Sequence, residues 1–103
     1  MFASPLYHMG SERDDAQSSN IEDLEVDQLL RFFIGALAGK ALEYLGGKLE
    51  KGAEPVKDLR KAKVSIDSIS VLIDQLAVLA PENEVKQLKG LLSELQLSFV
   101  MAN

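Results

Sequence analysis

The sequence predicts an all-α protein: a small three-helix bundle, or a helical hairpin preceded by an N-terminal helix, completed by dimerisation. Three observations lead there. Apolar residues recur at spacings of three and four along three separate stretches, Gly46-Gly47 and Pro81 punctuate those stretches, and no alternating run of β-branched residues competes. A chain of 103 residues has room for one core. With 47% hydrophobic and 26% charged residues it has the composition of a globular domain and not of a disordered chain.

The first helix starts near Asn20, which has Asp23 three places on, or at Asp27, since both are residue types whose side chains accept from free amides of a first turn. At about 100° per residue, Leu30, Ile34, Leu37, Ala38, Ala41, Tyr44 and Phe33 fall on one arc, which predicts a buried face. Gly46-Gly47 ends the helix, because glycine adopts the left-handed cap without a Cβ clash. A linker over 48–57 follows, and Asp58 is the expected cap of the second helix. From there Leu59, Ala62, Ile66, Ile69, Ile73, Leu76 and Ala80 alternate spacings of three and four, forming a seam of the coiled-coil type. Pro81 cannot continue that helix but fits the first turn of a third, where Glu82 and Glu84 meet the positive end of the helix dipole. Val85, Leu88, Leu92, Leu95 and Phe99 give this third helix its stripe. The short connection makes the last two helices an antiparallel hairpin.

Charge is unevenly spread. Net charge is −5, yet residues 1–27 hold seven acids against Arg13, so residues 1–20 read as a flexible acidic arm and residues 21–103 as the helical domain. Within that domain Lys48, Lys51, Lys57, Arg60, Lys61 and Lys63 form a basic patch offset by Glu50, Glu54 and Asp58. Such runs are commonly solvated surface, and the sharper reading is docking of the arm or of a phosphate-bearing partner. An acidic chain makes nucleic acid an unfavoured partner, because non-specific binding needs many cations presented together.

Several chemistries are excluded by inventory. Zero cysteines remove thiolate catalysis and Cys-containing zinc sites, and a single histidine, His8, leaves no triad or multi-His metal centre. Asp67 and Asp74 share a helix face, but two turns place them ~10 Å apart, too far to work as a pair on one proton. No catalytic residue, cofactor or metal is assigned. Pro5, His8 and Gly10 interrupt any apolar leader, and the stretch Leu29–Leu45 carries Arg31, Lys40 and Glu43, so neither a secretory signal nor a membrane span is expected and the cytoplasm is favoured.

Apolar residues also lie off the main stripes. Val64, Val71 and Val78 recur every seven residues opposite the isoleucine seam, and Phe32, Gly35 and Gly39 lie on the charged side of the first helix. Interior glycines cost a helix ~1 kcal/mol each relative to alanine, so a G-x-x-x-G pair suggests close approach of another backbone. Scattered exposed apolar groups are ordinary; stripes point to a second packing surface. These six residues are the expected interface, with a homodimer as its preferred use and a protein partner as the other.

The segment Asp58-Leu59-Arg60-Lys61-Ala62-Lys63 with Ile66-Asp67, and the segment Leu91-Leu92-Ser93-Glu94-Leu95 ending in Phe99-Val100, resemble a bacterial family catalogued as domain of unknown function 1844. The resemblance extends over about residues 28–100 and implies a small bacterial helical protein without an assigned activity. One departure is the short passage from Leu79-Ala80 to Pro81-Glu82, where relatives commonly carry a longer polar connection.

Residues 12–20 offer no apolar stripe to offset the ~1–2 kcal/mol per residue that backbone ordering costs. Deleting residues 1–20 is therefore expected to leave the helical domain folded, with a thermal midpoint by circular dichroism shifted by only a few degrees. Loss of cooperative melting would move the domain boundary into the arm.

Overall fold

The computed structural model describes residues 21–47 and 57–103. Three long helices, α1 (Val26–Tyr44), α2 (Leu59–Leu76) and α3 (Glu82–Ala102), and a helical turn at residues 21–23 are present among the described residues, with no strand. The protein is all-α.

α1 does not begin at Asp27; Asn20, the other expected start, lies outside the described residues, and residues 21–23 form a helical turn of their own, with Leu24 donating to the Ile21 carbonyl. Glu25 is the N-cap, its backbone N–H donating to Gln28 Oε1 at 3.0 Å, while Asp27 lies in the first turn and is engaged elsewhere. The far end follows expectation. Gly46, at φ +103°, donates to the Glu43 carbonyl and Gly47 to the Leu42 carbonyl, which together satisfy two of the helix's orphan acceptors. A Cβ on Gly47 would stand 2.8 Å from the Leu42 oxygen, so this position also needs glycine. The Asp58 N–H then donates to the Tyr44 carbonyl at 2.8 Å, tying the start of α2 to the end of α1. Asp58 caps α2 as expected, accepting from the Lys61 N–H at 3.1 Å.

The seam of α2 is the core. Ala62, Ile69 and Leu76 are wholly buried, with Ile66 and Ile73 nearly so. Ile34, Ala38 and Ala41 of α1 cover one side of this seam, and Leu95 of α3, with half-buried Leu88, Leu92 and Phe99, covers the other. α1 contacts chiefly α2 and has little contact with α3. Ser65 is the buried polar residue on this face, and its hydroxyl is satisfied by donating to the Lys61 carbonyl at 2.9 Å.

Three expectations are corrected. α2 ends at Leu76 and not at Ala80: the residue before proline disfavours helical geometry, and residues 77–79 tighten into a turn in which Val78 donates to Gln75 and Leu79 to Leu76. Pro81 precedes α3 as its N-cap, with extended ψ of 151°, because the chain must reverse there before Glu82 and Glu84 can open the helix. Phe33 is 44% exposed and Tyr44 is only half-buried, although both belong to the apolar arc of α1. The arc is wider than the strip α2 covers, and α3 lies along the opposite flank of α1. Phe33 instead turns its ring edge-on to Phe32, centroids 5.5 Å apart.

α1 and α3 are joined by a cluster around Arg31. Its Nε and Nη2 donate to the two carboxylate oxygens of Glu84 at 2.5 and 3.0 Å, and its Nη1 to Asp27 at 2.7 Å. The fork geometry matches a carboxylate, and each bond is charge-assisted. Hydrogen bonding to Arg31 holds the carboxyls of both Glu84 and Asp27 below their usual range, and the guanidinium in turn is pushed up by Glu84 first and Asp27 second.

Two predictions follow from this packing. Ile69→Ala, at a fully buried site in the middle of α2, is expected to lower unfolding free energy by ~2–4 kcal/mol in urea titrations; a change under ~1 kcal/mol would mean the seam is not the core. For Arg31, both partner carboxyls have folded pKa values below their unfolded ones, so their stabilisation is present above the ordinary carboxylate range of about 4 and is lost as pH falls through the lower folded values. Wild type should therefore exceed Arg31→Gln in urea midpoint at neutral pH, with the gap closing in acid. A pH-independent gap would assign Arg31 a packing role only.

Candidate functional site

Helical periodicity decides which side chains remain for contact with other molecules. In α2 the seam takes one face, leaving Val64, Val71 and Val78 at spacings of seven on the opposite one. They are 65%, 59% and 79% exposed, so most of each valine's surface stays in water after folding. The winding carries past the end of α2, since Ala77 is still in right-handed helical geometry and Val78 bonds back to Gln75, so Val78 continues the stripe from the turn.

The six expected interface residues divide into two surfaces. Gly35 is one turn on from Arg31 and shares the flank of α1 that meets Glu84 of α3. Val64 instead lines a cleft with Tyr44. Gly35 and Tyr44 are nine residues apart, about 180° around a helix turning 100° per residue, so the glycine pair and the valine stripe belong to opposite sides of the α1–α2 pair. A Cβ on Gly35 or Gly39 would meet nothing within 4 Å. The close approach these glycines permit is not used within the described part of the chain. Phe32 is half-exposed beside them. At its far end α3 adds Leu97, Val100 and Met101, surplus apolar residues of the sequence that the structure leaves exposed. Their signal was in the sequence, as apolar residues off the Leu88–Leu95 stripe.

The basic patch divides as well. Lys48 and Lys51 lie outside the described residues. Lys57, Arg60, Lys61 and Lys63 are all exposed. Lys61 and Arg60 line the cleft of about 470 Å3 with Tyr44, Asp58, Val64 and Ser65. Lys61 and Lys40 place their ammonium groups 5.7 and 5.9 Å from the centroid of the Tyr44 ring, within cation–π range. Lys63 turns away, donating to Asp67 at 2.7 Å and bordering a smaller groove of about 200 Å3 with Ile66, Gln96 and Phe99. Two residues of separation on a helix amount to about 200°, so Lys61 and Lys63 cannot hold one ligand. The Lys63–Asp67 pair itself was legible from its spacing of four.

Missing from the sequence reading is Glu84 as the partner of Arg31. Asp27 could have been found at four residues' distance, but nothing local links residue 31 to residue 84. Among the described residues no three or more acidic, histidine or cysteine side chains converge to hold a metal ion, and no helix is long and apolar enough to cross a membrane.

No curated protein and no solved structure matches the chain. A family model described as Domain of unknown function (DUF1844) matches residues 28–101. That span takes in nearly all of α1, the whole of α2 and all but the last residue of α3, and so contains the isoleucine seam, the Arg31–Glu84 bridge and the exposed valines together. The chain belongs to the family of Domain of unknown function (DUF1844).

Proposed function

We propose that this protein is a non-enzymatic helical interaction module that self-associates, its exposed apolar helix faces packing against a second copy or against a helical protein partner. The observation that carries the reading is the Val64, Val71 and Val78 stripe, more than half exposed at every position on a helix whose other face is fully buried. A stripe of this kind gains from removal from water at roughly 25 cal/mol per Å2, and a small bundle with few fully buried side chains has much to gain from such contact. Zero cysteines suit a reducing compartment, and the cytoplasm is the location the reading favours.

A second reading has its own observation, the cleft of about 470 Å3 in which Arg60 and Lys61 stand beside Tyr44. It would suit a phosphate-containing ligand, with RNA or an anionic lipid headgroup as larger carriers of the same charge. Pyrophosphate titrated calorimetrically at low salt should then bind, weaken as salt screens the contacts, and be lost in Arg60→Ala/Lys61→Ala. No heat at low salt, or binding unchanged in the double variant, excludes it.

For the self-association reading, multi-angle light scattering of the full chain at tens of micromolar should give a mass near twice 11.3 kDa. Val71→Asp should return the protein to monomer with its helical circular dichroism intact, since Val71 makes no part of the core. A wild-type monomer across that concentration range removes the reading.

A further inference from the structure

The exposed face of α2 carries more information than apolarity. Val64 and Val78 are each seven residues from Val71, so the stripe is symmetric about its middle residue. A two-fold axis through Val71 lays α2 on an antiparallel copy of itself with Val71 against Val71 and Val64 against Val78. The stripe from Val64 to Val78 is ~21 Å long, about four turns, and a face that matches itself under such an axis is what an isologous dimer requires.

Charge selects the antiparallel direction. Around the valine face the start of α2 is basic, with Lys57 and Arg60 both exposed, and the end is acidic, with exposed Asp74 followed by Glu82 at the opening of α3. A parallel pair would set Lys57 and Arg60 of the two copies beside each other and add the positive ends of two helix dipoles. The antiparallel pair sets Arg60 across from the other copy's Glu82, keeps the two Asp74 side chains apart and opposes the dipoles. Asp67 is the one carboxylate brought toward Asp74 of the copy, and its charge is already countered by Lys63 at 2.7 Å.

We infer that the face of α2 centred on Val71 is the docking surface for a second copy of this chain, in an antiparallel two-fold arrangement that pairs Val64 with Val78. This rests on the self-association reading above and names its surface and direction. The face is open in the described structure and flanks the Tyr44 cleft through Val64, so the copy's turn at Val78 would border that cleft.

Because the chain has no cysteine, single substitutions report the arrangement without background. Full-length Val64→Cys, Val71→Cys and Val78→Cys are oxidised at low micromolar concentration. Lys89→Cys, at an exposed site on α3, sets the level of random collision, and circular dichroism checks that each variant keeps its helices. The arrangement requires Val71→Cys to form a covalent dimer several times faster than Lys89→Cys. Val64→Cys and Val78→Cys should remain at the collision level alone and crosslink when mixed. Rapid self-crosslinking of both Val64→Cys and Val78→Cys would indicate a parallel pair and overturn the inference. If none exceeds the collision level while light scattering of the same variants still shows a dimer, the valine face is not the interface, although self-association stands. A monomer by light scattering overturns both.

Discussion

The structure depends on one constraint: the isoleucine face of α2 cannot be covered by a single neighbouring helix. Ile66, Ile69 and Ile73 with Ala62 and Leu76 present a strip broad enough to need α1 on one side and α3 on the other. α2 is therefore the hub, and the two outer helices are held more by it than by each other. The bond from Asp58 to the Tyr44 carbonyl, the turn at 77–81 and the Arg31–Glu84 bridge each fix how an outer helix lies on that hub.

That arrangement also creates the surfaces left over. A helix flanked by two neighbours but not surrounded keeps one open face, and in α2 that face is occupied by Val64, Val71 and Val78. α1, covered chiefly on one side, keeps two: the flank of Gly35 and Gly39 toward α3, and the flank of Phe33 and Tyr44 beside the basic cleft. The exposed aromatic and valine side chains are a consequence of packing two apolar helices against the seam of a third. A larger core would have absorbed them.

Electrostatics adds specificity to a core that is itself unspecific. Isoleucine and leucine packing tolerates sliding of one helix past another, whereas a guanidinium bound by both oxygens of Glu84 tolerates little. The match to the DUF1844 family covers residues 28–101, and the bridge between Arg31 and Glu84 lies wholly inside that span.

The sequence by itself determined the course of the helices, the cap at Asp58 and the stop at Gly46-Gly47, because each is set by interactions among residues at most five apart, and it marked the seam of α2 through its spacing of three and four. It also marked the valine stripe and the glycine pair as surplus, since period alone separates them from the seam. Only the tertiary structure decided that these two features stand on opposite sides of the molecule, that Phe33 stays exposed and that Arg31 binds Glu84. Those outcomes turn on how far around each helix its neighbours reach, and a wheel drawn from one helix holds the direction of every side chain but not the width of the strip another helix will cover.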